Sequence, residues 1–210
     1  MSDPIARARA THWDTAYLDA PAHSWDQERA DRSLAALTDG GVPDHVLDVG
    51  GGASPLAGQL LDVGVRQVTV LDVSAAALAE HAARLGARAD RVRWVEADVT
   101  RWTPEEQVDA WHDRAVFHFL TAAADRQAYR RRLHASVVPG GRVVVATFAP
   151  DGPDRCSGLP VARYEGAALS AELGLTDVTF DREVHTTPWG APQAFTWVIG
   201  RRQRSCSAPG

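Results

Sequence analysis

The chain has 210 residues and a hydrophobic fraction of 45%, which suits one globular domain with a full core. Its formal net charge is −5, so general electrostatic binding to nucleic acid or to an anionic membrane is not expected. The sequence has no apolar run long enough to span a membrane and no signal-peptide pattern at its start. Its two cysteines, Cys156 and Cys206, lie far apart, which argues against a disulfide framework and favours a reducing cytoplasm.

Residues 1–40 predict a helical cap. The expected helices cover residues 3–20 and 27–38. Trp13 and Tyr17 are four residues apart and share one face of the first helix, where they either pack on the core or help to bind substrate. Trp25 lies in a polar loop, where a purely structural tryptophan would be poorly covered. We therefore expect Trp25 to close over a cofactor.

A glycine-rich turn follows the first predicted strand, His45–Val49, and precedes a helix. The turn consists of Gly50, Gly51 and Gly52. Three successive glycines leave no side chains there, so a ligand can approach the backbone and the following helix N-terminus closely. Asp48 lies two positions before the first of these glycines.

Strands and helices alternate along the rest of the chain. The further predicted strands are residues 68–72, 92–95, 108–112 and 142–148, and the predicted helices between and after them include 75–85, 121–136 and 167–173. Residues 176–185 and 193–200 have no helix between them, which predicts an antiparallel hairpin, and residues 202–210 predict a disordered tail. This order predicts an α/β fold with a doubly wound, mostly parallel sheet and right-handed crossovers.

The glycine-rich turn does not fit a dinucleotide fingerprint, G-x-G-x-x-G. A fingerprint that began at Gly50 would need glycine or alanine where Pro55 stands, and one that began at Gly51 would need glycine at Ala53. The carboxylate of Asp48 would also repel a diphosphate. An NAD-dependent oxidoreductase is therefore disfavoured.

The pattern Asp48-x-Gly50-x-Gly52 instead resembles motif I of the class I S-adenosylmethionine-dependent methyltransferases. S-Adenosylmethionine carries an ammonium and a sulfonium but no phosphate, so an acidic residue beside the turn suits it electrostatically. The resemblance implies a Rossmann-like, seven-stranded sheet that ends in the antiparallel hairpin, with the cofactor-binding domain over residues 41–201. Ligands of such sheets bind beyond the carboxyl ends of the strands.

The resemblance also implies roles for residues at the ends of the next two strands. Asp72 resembles the acid that accepts both ribose hydroxyls, and a carboxylate suits a diol because it offers two acceptors and no donor. Asp98 and Val99 resemble the pair that holds adenine, and Val73 is placed to pack on the ring. For each aspartate taken singly, a solvated strand end or a helix cap is the alternative.

Residues 109–120 resemble the segment after the fourth strand of small-molecule methyltransferases. A phenol or hydroxyl acceptor would need a general base, for which His118 is the first candidate and His112 the second. The alternative for His118 is a structural role. Asp113 is a further candidate base or a ligand of the cofactor's amino group, and Arg114 is expected to pair with Asp113 or with a substrate anion.

A second group of candidates follows the fifth strand, where loops cover the acceptor pocket. We expect Cys156, Arg163 and Tyr164 to bind substrate together with Trp13 and Tyr17. A lone cysteine is usually a small core residue, so catalysis by Cys156 is not favoured. No metal site is expected.

The amino-terminal His12-Trp13-Asp14 and Ser24-Trp25 resemble a subgroup that includes thiopurine and tellurite-resistance type methyltransferases. The subgroup commonly has an aromatic run after Ser-Trp, where this chain has Asp26-Gln27-Glu28. We expect methyl transfer to sulfur, oxygen or nitrogen of a small-molecule acceptor, by a monomer or homodimer that binds neither nucleic acid nor membrane. A protein lysine methyltransferase and a catalytically silent cofactor-binding module are the alternatives.

Overall fold

The computed structural model describes residues 3–19 and 22–204. Its strands, in chain order, are β1 (His45–Val49), β2 (Gln67–Asp72), β3 (Val92–Glu96), β4 (Val108–Arg114), β5 (Val137–Phe148), β6 (Arg155–Cys156), β7 (Leu159–Pro160), β8 (Leu175–Thr186) and β9 (Pro192–Arg202). Seven of them form one sheet in the order β3-β2-β1-β4-β5-β9-β8, and β6 and β7 form a separate hairpin.

Strands β1 to β5 run parallel, and β9 is antiparallel to both β5 and β8. The strand order reverses at β1, which pairs with β2 on one side and with β4 on the other. The crevice beyond the carboxyl ends of β1 and β4 is therefore the topological switch point, where ligands of such sheets bind. The predicted fold class, a doubly wound sheet with a carboxyl-terminal antiparallel hairpin, is confirmed.

Helices cover both faces of the sheet. In the described residues the helices are α1 (Pro4–Asp19), α2 (Asp31–Thr38), α3 (Leu56–Asp62), α4 (Ala75–Leu85), α5 (Ala123–Ser136) and α6 (Gly166–Leu173), with 3₁₀ turns at Gly86–Arg91 and Phe117–Phe119. None of these helices is both long enough and apolar enough to cross a membrane.

Two hydrophobic cores result, one on each face, because successive side chains of a strand point to opposite sides. In β1, Val46 belongs to the core that α2, α3 and α4 cover, and Leu47 belongs to the core that α5 and α6 cover. All five residues of β1 are buried, as expected for a central parallel strand. The polar side chains at the strand ends are thus held on a rigid frame.

The amino-terminal cap differs from the rest of the domain in how it is attached. Helix α1 contains no buried residue, and polar and aromatic contacts hold it against the sheet. Helix α2 begins at Asp31, four residues later than predicted, because the preceding residues form the loop that carries Trp25. Residues 20 and 21, at the predicted helix break, lie outside the described residues.

Other differences from the predicted elements are small. Strand β4 continues through Arg114, and β5 already begins at Val137. Residues 138–141, which separate the predicted helix 121–136 from the predicted strand 142–148, therefore belong to β5, next to a register shift against β4. The β6–β7 hairpin was not predicted, since strands of two residues show no periodicity. Strand β9 continues through Arg202, and residues 205–210 of the predicted tail, with Cys206, lie outside the described residues.

Candidate functional site

A cavity of about 170 Å³ lies beyond the carboxyl ends of β1, β2 and β4, beneath α1 and the loop after it. We call it the capped cavity. It is lined by Arg9, Trp13, Tyr17, Trp25, Val49, Gly50, Leu71, Asp72, Val73, Ala97, Asp98, Val99, Arg114, Ala115, Val116, Phe119, Leu120, Cys156 and Leu159. A second cavity, of about 410 Å³, shares Tyr17, Trp25, Gly50 and Arg114 with the first. We call it the turn cavity, because it lies over the glycine-rich turn and also contacts Gly51 and His112.

The glycine-rich turn needs glycine for two separate reasons. Gly50 and Gly52 have φ angles of +66° and +32°, a region that other residues rarely adopt. At Gly51 the backbone is ordinary, but a Cβ atom would lie 2.6 Å from Oδ2 of Asp48 and 2.8 Å from the side chain of Val70. The turn is fixed in place because Gly50 donates to the carbonyl oxygen of Leu71 at 2.7 Å.

Asp48 lies beneath this turn and does not line either cavity. Its Oδ1 is 2.7 Å from Nδ1 of His112, which is the neighbouring residue on β4 in the sheet register. Both side chains are buried, and Oδ2 of Asp48 and Nε2 of His112 have no hydrogen-bond partner among the described residues. Because a carboxylate only accepts, Nδ1 of His112 carries a proton, and in the neutral imidazole Nε2 is then an acceptor on a residue that lines the turn cavity.

Asp72, at the end of β2, is a buried carboxyl group on the wall of the capped cavity. Its Oδ1 accepts from the backbone N–H of Ser74 at 2.9 Å. Burial raises the pKa of Asp72 to about 6, against the effect of backbone hydrogen bonds. The hydroxyl of Tyr17 lies beside Asp72 and over Gly52, and burial, with the charge of Asp72, raises the pKa of that phenol.

Asp98 lines the same cavity, but the structure engages both of its oxygens. Oδ1 accepts from the N–H and the hydroxyl of Thr100 at 2.8 and 2.7 Å. Oδ2 accepts from Nη1 of Arg9 in α1 at 2.7 Å, and Nη2 of the same arginine bonds Asp125 at 2.5 Å. Each carboxylate oxygen has two lone pairs, so Oδ2 of Asp98 retains room for one further donor.

Helix α1 thus crosses the site and is tied to it at several points. Besides the Arg9 pairs, Asp14 accepts from the hydroxyl of Ser74 at 2.7 Å and from the N–H of Ala76 at 3.1 Å, at the start of α4. Arg101 also pairs with Asp3 ahead of the helix. These ties place Trp13 and Tyr17 in the capped cavity.

Aromatic rings form the wall opposite the strand ends. The ring centroids of Trp13 and Trp25 are 5.7 Å apart, and those of Trp13 and Phe119 are 4.9 Å apart, both in edge-to-face contact. Cys156 and Leu159 of the β6–β7 hairpin complete this wall. Burial raises the pKa of the Cys156 thiol, which therefore stays protonated near neutral pH.

Asp113 and His118 are not brought to either cavity, contrary to the roles predicted for them. Asp113 is fully buried, and its carboxylate accepts from the N–H groups of Val116 and Phe117 and from the hydroxyl of Tyr129 at 2.6 Å. It holds the turn after β4 instead of a ligand. His118 is also fully buried, and burial, with the nearby charge of Arg114, lowers its pKa to about 3. Such a weak, enclosed base cannot take a proton from an acceptor in the cavity.

Arg163 and Tyr164 also lie away from the cavities. Nη1 of Arg163, which is exposed, donates to the carbonyl oxygen of Gly152 at 3.1 Å. Tyr164 packs against Phe117 in the core beneath α5 and α6. Of the described residues in the loop after β5, Cys156 and Leu159 line the capped cavity, and these two are paired in the β6–β7 hairpin.

The structure adds residues that sequence reasoning did not assign to the site. Arg9, Phe119 and Leu159 line the capped cavity. Phe119 lies only one residue after His118, but the 3₁₀ turn at 117–119 directs these two rings differently. Arg9 is one turn before Trp13, so the helical spacing that grouped Trp13 with Tyr17 also indicates a position on this side of α1.

The acceptors of the site, two carboxylates and an imidazole, suit a phosphate-free ligand that carries hydrogen-bond donors. Asp72 and Asp98 present carboxylates to the capped cavity, and His112 presents a buried, unpaired acceptor at the glycine-rich turn. Asp98 is paired with Arg9, so Asp72 is the carboxylate that would oppose a diphosphate at this position. In the described part of the chain, no three histidine, cysteine or acidic side chains form a cluster that could hold a metal ion.

Similarity to known proteins supports S-adenosylmethionine as the ligand of this site. Residues 46–141 match a family described as a methyltransferase domain. The Burkholderia thailandensis 1,6-didemethyltoxoflavin-N1-methyltransferase, solved with 1,6-didemethyltoxoflavin and S-adenosylhomocysteine, is 25% identical. The alignment covers 97% of this chain and 92% of that one, with a TM-score of 0.69.

Two further solved structures are similar in fold. The N-methyltransferase NodS from Bradyrhizobium japonicum WM9, in complex with S-adenosylhomocysteine, is 17% identical over 94% of this chain and 96% of that one, with a TM-score of 0.68. A structure from work on the conversion of a disulfide bond into a thioacetal group during echinomycin biosynthesis is 19% identical over 94% of both chains, with a TM-score of 0.76. No curated protein gives a significant match.

Proposed function

The chain is a class I S-adenosylmethionine-dependent methyltransferase, and we propose that it methylates a small organic molecule rather than a protein side chain. The observation that carries this proposal is the wall of the capped cavity opposite the strand ends. Trp13 and Trp25 of the cap, Phe119, and Cys156 and Leu159 of the hairpin form it. A flat or apolar molecule fits between such side chains, whereas an extended polypeptide needs an open groove.

The chain's own residues supply a place for each part of the cofactor. Asp72 accepts the ribose hydroxyls, and Asp98 with Val73 and Val99 holds the adenine. The glycine-rich turn would hold the methionine part, and Nε2 of His112 would accept a hydrogen bond from its ammonium. Asp48 acts through His112, since its own carboxylate lies beneath the turn and holds the ring in the required tautomer.

The bound cofactor supplies a methyl group on a sulfonium, which is already electrophilic. The protein therefore has to orient an acceptor atom and exclude water, and orientation alone can supply roughly 7–11 kcal/mol of the barrier reduction. Trp13, Trp25 and Phe119 restrict the acceptor to the space between the cap and the strand ends. Helix α1 closes that space through Arg9 and Asp14.

Among the described residues, the aromatic wall of the capped cavity, where the acceptor would bind, offers no strong general base. His118 is enclosed, and the thiol of Cys156 stays protonated. An acceptor that is already nucleophilic near neutral pH, such as a thiolate, an acidic phenol or a heterocyclic nitrogen, therefore suits the site best. The similarity to an enzyme whose structure contains 1,6-didemethyltoxoflavin supports a small heterocyclic or aromatic acceptor.

The proposal is tested by incubating the protein with S-adenosylmethionine and acceptor panels, and measuring S-adenosylhomocysteine release. One panel contains small thiols, phenols and N-heterocycles, and the other contains lysine-rich peptides and unfolded proteins. We expect release with members of the first panel only. Release with the peptides alone would indicate a protein methyltransferase. Cofactor binding without release in either panel would favour the silent module.

A further inference from the structure

Arg114, the last residue of β4, is a buried cation that pairs with no acidic side chain among residues 3–19 and 22–204. Its Nη1 donates to the carbonyl oxygen of Trp25 at 3.2 Å, and its guanidinium lies over the ring of Phe195, with Cζ 4.7 Å from the ring centroid. Its Nε and Nη2 are buried and have no hydrogen-bond partner in the described part of the chain. Burial lowers the pKa of Arg114 to about 10, so the group is still charged at pH 7.

The carboxylates nearest to Arg114 are engaged elsewhere. Asp113 precedes it in sequence, but that carboxylate points to Tyr129 and the turn after β4. Glu183 accepts from the indole N–H of Trp197 at 2.8 Å. The pairing of Arg114 with Asp113 that the sequence allowed is therefore absent. An unsatisfied charge at this depth is costly to keep, which points to a ligand that completes it.

The position of the guanidinium restricts what that ligand can be. Arg114 lines both the capped cavity and the turn cavity, so it stands at the junction of the acceptor end and the glycine-rich turn. Nε–H and Nη2–H form one edge of a planar guanidinium and point in parallel. Two parallel donors match the two oxygens of a carboxylate, whereas a neutral carbonyl group or a single hydroxyl satisfies only one of them.

We propose that the Nε–Nη2 edge of Arg114 is a carboxylate-binding site at the centre of the active site. The Phe195 ring and the Trp25 carbonyl group hold the rest of the guanidinium, so this edge is the part left to a ligand. The carboxylate has two possible sources at this junction, the methionine end of the cofactor or an acidic group of the acceptor. The inference rests on the active site proposed above, and the experiment separates the two sources.

The test compares Arg114→Met and Arg114→Lys with the unchanged protein by calorimetry. The first ligand pair is S-adenosylhomocysteine and 5′-methylthioadenosine, which lacks the amino acid end. The second pair is benzoate and benzamide, added to protein already saturated with S-adenosylhomocysteine. Arg32→Met is the matched control, because Arg32 also lies over an aromatic ring, that of Trp197, but pairs with Asp181 away from both cavities.

If the cofactor supplies the carboxylate, Arg114→Met weakens S-adenosylhomocysteine binding about tenfold or more and leaves 5′-methylthioadenosine unchanged. If the acceptor supplies it, cofactor binding is unchanged, and benzoate binds the unchanged protein about tenfold more tightly than benzamide, a preference that Arg114→Met removes. Arg114→Lys restores part of either effect, because it keeps the charge but not the two parallel donors.

Two results would overturn the proposal. One is that Arg114→Met binds all four compounds as tightly as the unchanged protein does, while the control variant Arg32→Met also binds them unchanged. The other is a fall in melting temperature of Arg114→Met without any selective loss of a carboxylate ligand, since removal of an unpaired buried charge should not destabilise the fold. If the unchanged protein fails to bind S-adenosylhomocysteine, the proposed active site fails before Arg114 is tested.

Discussion

Nδ1 of His112 lies 2.7 Å from Oδ1 of Asp48, and this buried hydrogen bond joins the two central strands beneath the glycine-rich turn. The same bond fixes the imidazole tautomer, so Nε2 is an acceptor at the turn cavity. In Asp48→Asn the amide can donate to Nδ1 and leave Nε2 protonated, which would repel an ammonium. We expect about tenfold weaker S-adenosylhomocysteine binding.

The control ligand for this prediction is 5′-methylthioadenosine, which has the adenosine part of S-adenosylhomocysteine but no ammonium group. Its affinity for Asp48→Asn should stay within about twofold of that for the unchanged protein, since the contacts proposed for it lie at Asp72 and Asp98. Calorimetry on both ligands measures the difference. Equal losses of affinity for the two ligands would show that Asp48 maintains the fold of the site and has no specific role in binding the ammonium group.

The carboxyl group of Asp72 predicts a pH dependence of cofactor binding. Burial raises its pKa to about 6 in the free protein, so the group gains a proton as pH falls through about 6. The protonated acid is a poorer acceptor for a diol, and S-adenosylhomocysteine affinity should therefore fall between pH 7.5 and 5, with a midpoint near the pKa of about 6. Asp72→Asn should bind about tenfold more weakly and lose this dependence. A pH profile that is the same in both proteins would exclude the ribose role.

Arg9 is expected to control how firmly helix α1 covers the site. Its pairs with Asp98 and Asp125 are partly buried, at 2.7 and 2.5 Å, and the helix contains no buried residue, so polar ties carry much of its attachment. Loss of about 1 kcal/mol in Arg9→Met should speed amide hydrogen exchange in α1 about fivefold. Arg66→Met, which breaks an exposed pair with Asp44, is the control and should leave α1 unchanged. Equal exchange in the two variants would contradict the role of Arg9.

Asp113 should matter for stability and not for ligand binding. Its carboxylate accepts from Tyr129 and from two backbone N–H groups in the core. In Asp113→Asn at least one of these donors loses its acceptor, which should cost about 2 kcal/mol and lower the melting temperature by roughly 4–8 °C. The folded variant should bind S-adenosylhomocysteine with unchanged affinity. Weaker binding at an unchanged melting temperature would restore the cofactor role first assigned to Asp113.

The doubly wound sheet and its carboxyl-terminal hairpin could be predicted because alternating strands and helices leave few arrangements. The apolar strands His45–Val49 and Gln67–Asp72 and the glycine-rich turn between strand and helix carry their own local signals. The register between paired strands and the residues at which strands end are harder to predict from sequence. The extension of β4 through Arg114 depends on pairing with β5, which no local pattern of β4 reveals.

The site could be predicted only in part, since sequence shows which residues end a strand but not where each side chain points. Asp72 and Asp98 were placed at strand ends, and both line the capped cavity. Asp113 lies next to the end of β4, yet its side chain points away from the cavities that His112 and Arg114 line, because neighbouring residues of a strand alternate between the two faces of the sheet. The partner of Asp98 is Arg9, 89 residues away in sequence, and no pattern within either segment indicates that pair.

Titration of the protein with S-adenosylhomocysteine, with NAD⁺ titrated in parallel, tests the assigned site most directly. Carboxylates at the strand ends and a turn without side chains should accept the phosphate-free compound and repel the diphosphate. We expect a saturable one-to-one heat with S-adenosylhomocysteine, lost with Asp72→Asn, and no heat with NAD⁺. Saturable binding of NAD⁺ together with no heat from S-adenosylhomocysteine would contradict the account.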